Sequence, residues 1–199
     1  MKCVGISGTP GTGKTSVGKH LSAKMGIPMI ELGNYVIENK LYLYFDELRN
    51  SYVIDEDKVR NSVRRLFEDI GPLIVISHYV EVLPRDILEL VVVLRRDPYE
   101  LISVLNARGW RTHKVAENVE AELLSVCTLN AVEELGEDMV VEVDTTSRSV
   151  SDVAEEILEI VYGEKPVYLG HRIDWLSILP EDKLGLVLEY IEKFRVLQD

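Results

Sequence analysis

The stretch that decides the fold is CVGIS at residues 3–7 followed by GTPGTGKT at residues 8–15, in a chain of 199 residues. The first part is a short apolar run that ends in a small residue, which is typical of a buried strand. The second part matches the pattern G-x-x-x-x-G-K-[ST] at every fixed position. Apolar side chains then recur at helical spacing until Gly26 and Pro28 end the helix. A strand, a glycine-rich loop and a helix in this order predict a phosphate-binding loop.

The fixed residues of this loop each have a chemical reason. The glycines let backbone N–H groups turn towards phosphate oxygens, and the start of the helix adds the positive end of its dipole. Lys14 can reach the β- and γ-phosphates as a positive charge, and the hydroxyl of Thr15 is placed to ligate Mg²⁺. The loop therefore predicts that the chain binds a nucleotide.

Several other apolar runs read as buried strands that alternate with helices. Continuous runs rich in β-branched residues are typical of a parallel sheet that is covered on both faces. The further predicted strands are residues 29–32, 73–76, 90–94 and 139–143. This alternation predicts a three-layer α/β domain with about five parallel strands, as in the P-loop NTPase fold.

The segments between and after these strands give the predicted organisation. Residues 33–52 are rich in tyrosine and polar residues and are expected to form short helices with irregular joints. A helix at 98–108, a basic loop and one longer helix follow. We expect a main domain over residues 1–162, and a linker at 163–166 that opens a C-terminal tail, 163–199, with a last helix near 181–197.

Composition excludes some classes of protein. The chain has 22 Lys and Arg against 34 Asp and Glu, so its net charge of −12 argues against a general nucleic-acid binder. Fourteen acidic residues and a single basic one, Arg148, lie between Glu117 and Glu164. This acidic block is either a set of solvated helix faces or a surface that attracts a basic partner.

The two cysteines, Cys3 and Cys127, do not form a disulfide framework, and both are expected to be buried small residues in a reducing compartment. No apolar stretch approaches the roughly 20 residues of a membrane span. We therefore expect a soluble cytoplasmic protein without a membrane partner.

Transfer of a phosphoryl group to a second small molecule requires two further mobile pieces. One closes over the acceptor, and one that bears cations closes over the transferring phosphate. The segment after the second strand is a candidate for the first piece. The basic stretch with Arg108, Arg111 and Lys114 is a candidate for the second, unless these are only solvated loop charges.

Beyond the phosphate loop, which resembles that of adenylate kinases, six stretches resemble one branch of them. That branch is the adenylate kinase 6-like family of archaea and eukaryotes, which has a role in small ribosomal subunit maturation. The stretches are IDEDKV at 54–59, VVLR at 92–95, RGW at 108–110 with Lys114, ENVEAE at 117–122, VDTT at 143–146 and IDW at 173–175.

The resemblance implies a broad-specificity nucleoside monophosphate kinase, typically ATP + AMP ⇌ 2 ADP, with a companion ATPase activity. ATP and Mg²⁺ would be its cofactors, and AMP or another nucleoside monophosphate its acceptor. It also implies a transient association with a basic ribosomal protein of the small subunit, rather than sequence-specific contact with nucleic acid. Two alternatives stay open: a nucleotide-switched ribosome-assembly factor with little kinase activity, and another small-molecule kinase of this fold, such as one for shikimate or a nucleoside.

The resemblance also assigns residues. The acceptor-binding region would span about 32–54 and a short lid about 107–117. Arg95 would be a secondary cation near the phosphates, and His78 a residue of the catalytic set together with Lys14 and Arg108, which would also contact ATP. The residues that would bind the ATP phosphates are Gly11, Thr12, Gly13, Lys14, Thr15 and Ser16, with Thr15 as the metal ligand.

One departure from the family concerns the strand at 73–76. The family usually has an acidic residue two positions before a histidine, and here that position holds Ile76, before Ser77 and His78. A carboxylate there would help to hold Mg²⁺ and orient an attacking water, so hydrolysis is in more doubt than transfer. Glu81 or Asp86 could supply a carboxylate instead. His78 is either a water-positioning residue or a hydrogen-bonded core residue.

Overall fold

The computed structural model describes residues 1–47 and 51–195, which form alternating strands and helices. The first half contains β1 (Cys3–Ser7), α1 (Lys14–Met25), β2 (Met29–Glu31), α2 (Leu32–Glu38), β3 (Tyr42–Asp46), β4 (Ser51–Ile54), α3 (Glu56–Ile70) and β5 (Ile74–Ile76). The second half contains β6 (Leu88–Arg95), α4 (Pro98–Ala107), α5 (Thr112–Leu123), α6 (Val126–Leu135), β7 (Val140–Asp144), α7 (Val150–Val161), α8 (Trp175–Ile178) and α9 (Glu181–Phe194).

Five of the strands form one parallel sheet in the order β2-β5-β1-β6-β7, which confirms the predicted fold class. Ile6 of β1 is in register with Ile76 of β5 on one side and with Val92 of β6 on the other. After β1 the chain first builds β2 and β5 on one side of it and then β6 and β7 on the other. The carboxyl end of β1 is therefore the point where a crevice opens in an open α/β sheet.

The alternation of side chains along the strands divides the core into two layers. Cys3, Val75 and Val93 pack on one face of the sheet, with α2, α3 and α6. Ile6 and Val92 pack on the other face, with α1 and α7. These apolar layers hold the sheet from both sides and give the three-layer arrangement.

A third apolar cluster joins the C-terminal tail to the main domain. Trp175 of α8 and Val187 of α9 pack against Leu105 of α4 and Val119 of α5. Leu169 also makes a bridge with Val141 of the edge strand β7. The tail is thus packed along α4 and α5 and at the edge of the sheet.

The expectation of short helices over residues 33–52 is wrong for most of that segment. Among the described residues of this segment only those of α2 are helical, and β3 and β4 form an antiparallel hairpin. Aromatic pairs across the hairpin explain the difference, because the Tyr52 ring centroid lies 4.4 Å from that of Tyr42 and 5.0 Å from that of Phe45. Residues 48–50 of the predicted acceptor region lie outside the described residues.

The region predicted as a lid is more helical than expected. Only residues 108–111 lie between α4 and α5, and residues 112–117 belong to α5. The sequence predicts a single long helix after it, but the structure has two. The positive φ angle of Ser125, 58°, interrupts the helical backbone between α5 and α6. The last helix ends at Phe194, and residues 196–197 of its predicted span lie outside the described residues.

Among the helices of residues 1–47 and 51–195, none combines the length and the apolar character that a membrane span requires.

We expect Gly18→Ala to lower the free energy of unfolding by about 1–2 kcal/mol, because the added methyl group overpacks the core. A Cβ at Gly18 would lie 2.8 Å from Met29 Sδ and 2.9 Å from Ile76 Cγ2, where α1 crosses the sheet. The matched control is Gly185→Ala in α9, where no atom lies within 4 Å. That change should stabilise the protein by about 0.5–1 kcal/mol through helix propensity. Urea unfolding of both variants measures the difference, and equal effects would contradict the close packing.

Candidate active site

The phosphate loop occupies the carboxyl end of β1, where its glycines are required by space as well as by backbone angle. Gly8 and Gly11 have φ angles of 131° and 100°, which side chains rarely allow. A Cβ at residue 8 would collide with the carbonyl oxygen of Leu94, and one at residue 11 would lie 2.5 Å from Leu101 Cδ1. The loop therefore packs closely against the end of β6 and the first turns of α4.

Lys14 begins α1 and folds back over this loop. Its Nζ donates hydrogen bonds to the carbonyl oxygens of Gly8, at 2.5 Å, and Thr9, at 3.1 Å. Burial is the main reason that the pKa of Lys14 is lowered to about 8, and the positive charge of Arg108 contributes to the lowering. Lys14 and Arg108 thus interact electrostatically, and their shared role stays a prediction.

A wide cleft of about 670 Å³ opens beside Lys14 and Thr15 on the β2–β5 side of β1. Its walls come from α2, from the β3–β4 hairpin and from the end of β5. The side chains that line it include Glu31, Asn34, Ile37, Phe45, Tyr52, His78 and Tyr79. Its lining combines polar groups with aromatic rings, and its size is that of a small-molecule site.

The end of β5 places His78 in this cleft. The His78 ring packs edge-on against Tyr79, with 4.7 Å between ring centroids. Partial burial lowers the pKa of His78, and the Lys14 ammonium lowers it further. His78 is exposed and lines the cleft near Lys14, so it is not a core histidine.

Ile76 stands two residues before His78 and is only 4 % exposed. Its side chain packs against α1 at Gly18, so no carboxylate faces the cleft from this position. Glu81 does not replace it, because it lines a separate small cleft. Asp86 does not either, because both of its oxygens accept hydrogen bonds from Arg64, at 2.6 and 2.7 Å. The carboxylate that does line the wide cleft is Glu31, which the sequence did not single out.

A narrow groove of about 170 Å³ opens on the other side of the loop, where β6 and β7 end. Gly11, Gly13, Ser16 and Arg108 are among its lining residues, and the contact of Arg108 with ATP stays a prediction. Two further arginines complete its walls, Arg96 and Arg148. Arg96 donates to the carbonyl oxygen of Gly11 at 2.9 Å, so it touches the phosphate loop directly.

The predicted role of Arg95 as a cation beside the phosphates does not fit its placement. Arg95 is only 1 % exposed, and its guanidinium forms ion pairs with Glu122 and Glu142. Its Nη2 also donates to Ser125 Oγ at 2.9 Å. Consecutive side chains at the end of a strand point to opposite sides, so Arg95 enters the interior and Arg96 faces the loop. Two consecutive arginines after a predicted strand indicate that one of them lies near the phosphate loop, but the sequence alone does not show which one.

The sequence predicted the phosphate loop, Arg108 and His78 but missed the other lining residues. Asn34, Phe45 and Tyr52 lie within the predicted acceptor region, and only the α2 and hairpin geometry brings them to one cleft. Arg148 follows β7 by four residues, and no motif distinguishes it.

Comparison with solved structures identifies the fold. Thymidylate kinase from Candida albicans superimposes with a TM-score of 0.53 at 14 % identity, covering 85 % of this chain and 98 % of that protein. Shikimate kinase from Acinetobacter baumannii, solved with shikimate, gives a TM-score of 0.52 at 17 % identity over 83 % of this chain and 95 % of that protein. At such identities the comparison establishes the P-loop kinase fold alone.

Sequence comparison identifies the family. A family model described as AAA domain matches residues 4–125. A protein of Saccharolobus islandicus named "Putative adenylate kinase" is 44 % identical over 77 % of this chain and 80 % of its own length. A protein of the same name from Methanosarcina barkeri is 36 % identical over 89 % and 99 %. The "Adenylate kinase isoenzyme 6 homolog" of Caenorhabditis elegans is 36 % identical over 78 % and 86 %. With the loop, the two clefts and these relatives taken together, the chain belongs to the adenylate kinase 6-like family of P-loop kinases.

Proposed function

We propose that this protein is a nucleoside monophosphate kinase of the adenylate kinase type, which transfers the γ-phosphoryl group of ATP to AMP or a similar monophosphate. The observation that carries the proposal is the pair of clefts on the two sides of one phosphate loop. A hydrolase needs room for one nucleotide and a water molecule, whereas a transferase has to hold a donor and an acceptor. The relatives named adenylate kinase support the same reaction.

In this proposal ATP lies on the phosphate loop, with Gly11–Ser16 around its phosphates and its nucleoside in the narrow groove. The monophosphate occupies the wide cleft, where Phe45 and Tyr52 offer aromatic faces to its base. Its phosphate then lies beside Lys14, and residues 32–54 form the acceptor region.

Transfer requires an acceptor oxygen to attack the γ-phosphorus while the bond from that phosphorus to the β–γ bridging oxygen breaks, and ADP leaves. At pH 7 the oxygens of a monophosphate are already largely ionised, since its second pKa is about 6. The attacking oxygen therefore needs no general base. Lys14 and Arg108 stabilise the charge that spreads over the transferring group, and positioning supplies most of the catalysis. In this proposal Arg96, and not Arg95, is the additional cation near the phosphates.

Mg²⁺ fits this site as an ion that arrives with ATP. The Thr15 hydroxyl is exposed beside Lys14, and the described residues contain no cluster of three or more His, Cys, Asp or Glu that could hold a metal by itself. Mg²⁺ commonly keeps several waters and binds through substrate phosphates with few protein ligands. When bound, the ion would neutralise charge on the β- and γ-phosphates.

The apolar side chain at position 76 favours transfer over hydrolysis. Water is a neutral nucleophile that has to be oriented, and Ile76 contributes no group for this task. Ser77, His78 and Tyr79 follow β5 and line the cleft, and of these His78 is the exposed one and is close enough to Lys14 to sense its charge. We therefore expect the companion ATPase activity to be slow, with His78 as its water-positioning residue.

The central experiment is steady-state turnover of ATP with Mg²⁺, alone and with each nucleoside monophosphate. We expect ADP formation with the preferred acceptor to exceed hydrolysis by at least about tenfold, because a bound acceptor reacts at a high effective concentration. Shikimate and a nucleoside serve as controls for other kinases of this fold. Absence of ADP above the hydrolysis rate with every monophosphate would refute the proposal.

Lys14 predicts a pH dependence of nucleotide binding. Its pKa of about 8 in the free protein should rise when ATP phosphates approach. Binding at about pH 8.5 should therefore take up a fraction of a proton, and the ATP affinity should fall as the pH rises above 8. Titration calorimetry in two buffers with different ionisation enthalpies measures this uptake.

The control for this experiment is Cys127→Ser, because the Cys127 thiol lies near Lys14 and is the other group that could titrate there. The variant should keep the proton uptake. Binding without any uptake at this pH would contradict the lowered pKa of Lys14.

We propose further that the protein acts in small-subunit maturation through a basic ribosomal protein. Half of the acidic block is neutralised within the chain, since seven of its carboxylates form ion pairs with described residues: Glu117, Glu120, Glu122, Asp138, Glu142, Glu155 and Glu156. Glu133 and Glu134 are exposed on α6 and share a cleft of about 200 Å³ with Glu56 and Glu81. Arg60 also lines this cleft and pairs with Glu56 at 3.1 Å, so Glu133 and Glu134 are the carboxylates of the block that we propose for contact with a lysine or arginine side chain. The cytoplasmic location stays a prediction.

Charge reversal tests this surface. Glu133→Lys with Glu134→Lys should weaken binding of the basic ribosomal protein by about tenfold or more, because like charges then meet. The matched control is Glu159→Lys with Glu164→Lys, which changes the net charge equally at the end of α7. Pull-down with and without ATP compares the two. Equal binding by both double variants would contradict the proposal and would mean that Glu133 and Glu134 are solvated charges with no part in binding.

A further inference from the structure

A buried carboxylate, that of Glu122 in α5, connects the phosphate loop to the C-terminal tail. Glu122 is 1 % exposed, and both of its oxygens accept hydrogen bonds. Its Oε2 accepts from the hydroxyl of Thr9 at 2.6 Å. Its Oε1 accepts from the indole N–H of Trp175 at 2.9 Å and from Nε of Arg95 at 2.8 Å. Three distant parts of the sequence therefore meet at one side chain.

On the loop side, the contact holds a residue that the phosphate-loop pattern leaves free to vary. Thr9 is buried, and its carbonyl oxygen accepts hydrogen bonds from the Thr12 hydroxyl, at 2.9 Å, and from Lys14 Nζ, at 3.1 Å. Fixing Thr9 thus also fixes partners of Thr12 and Lys14. The backbone N–H of Arg96 donates to the other Glu122 oxygen, Oε1, at 3.1 Å, so Glu122 also contacts the end of β6.

On the tail side, the contact is one of several that hold residues 171–175. Trp175 packs in the third apolar cluster, and the Arg95 guanidinium lies 5.9 Å from the centre of its ring. Glu142, the other partner of Arg95, accepts from the backbone N–H groups of Arg172, at 2.6 Å, and Ile173, at 2.7 Å. The tail therefore completes the polar surroundings of both buried carboxylates.

We propose that Glu122 is a positioning residue for the phosphate loop, and that Trp175 of the C-terminal tail assists it through the hydrogen bond from the indole N–H to the Glu122 carboxylate. A glycine-rich loop loses much conformational freedom when it is ordered around phosphates. A charge-assisted hydrogen bond in a buried site orders the loop before the ligand arrives, so less of the binding energy is consumed. Trp175 holds the carboxylate in the orientation that Thr9 requires.

This inference rests on nucleotide binding at the phosphate loop and not on the identity of the acceptor. Its signature is a loss of ATP affinity that exceeds what general destabilisation would cause. Thr9→Val keeps the shape of the side chain and removes the hydroxyl, so ATP should bind about tenfold more weakly. Thr9→Ser restores the hydroxyl and should bring the affinity back to within about twofold of the original.

Trp175→Phe tests the tail without touching the loop. It removes the indole N–H and keeps an aromatic ring in the cluster, and we expect ATP affinity to fall by about threefold to tenfold. Thr128→Val is the matched control, because the Thr128 hydroxyl is buried and donates to Glu142 at 2.6 Å, at the end of the network away from the loop. It should lower the melting temperature as Thr9→Val does and leave ATP affinity within about twofold.

The experiment is titration calorimetry of the full-length protein with ATP, together with thermal unfolding of every variant. Weaker ATP binding in Thr9→Val and Trp175→Phe, rescue in Thr9→Ser and unchanged binding in Thr128→Val support the proposal. It is overturned if Thr9→Val and Trp175→Phe change only the melting temperature, if Thr128→Val weakens ATP binding as much as they do, or if the unaltered protein does not bind ATP. A protein that binds ATP but phosphorylates no monophosphate would refute the proposed function and leave this test intact.

Discussion

The close approach of the phosphate loop to the end of β6 is the constraint on which the rest of the site depends. Residue 8 has no room for a side chain because the carbonyl oxygen of Leu94 occupies that space. The residues that follow Leu94 are therefore fixed relative to the loop. Arg96 reaches the loop itself, and Arg95 enters the interior, where Glu122 and Glu142 neutralise it. One contact between two backbone segments thus positions both the narrow groove beside the loop and the buried charges behind it.

Buried ion pairs are costly to form, and they are tolerated only where every donor and acceptor is matched. Here the matching partners come from six elements: the loop, β6, α5, α6, β7 and the tail. The Glu122 carboxylate accepts from four donors, so removing one of them weakens the network and leaves three. These polar contacts and the third apolar cluster together connect the short tail to α4 and α5.

Local patterns were enough to predict the sheet and the glycine-rich loop at the end of β1. The β-branched runs at residues 73–76 and 90–94 describe buried parallel strands by composition alone, and they are found as β5 and β6. The hairpin was missed because Tyr42, Phe45 and Tyr52 are equally compatible with an irregular segment until they pack on one another. The role of Glu122 was also beyond the sequence, since it depends on contacts 113 and 53 residues apart. The sequence likewise could not distinguish Arg95, which is buried, from Arg96, which contacts the loop.

The link from Thr9 through Glu122 to Trp175 has a consequence for the order in which the molecule is made. Synthesis on the ribosome reaches the glycine loop before the buried carboxylate, 113 residues later, and reaches the indole a further 53 residues on. The link can therefore close only after Trp175 has been translated. Until then the nascent protein lacks one support of its phosphate loop, so ATP should stabilise chains without Trp175 less than chains that include it.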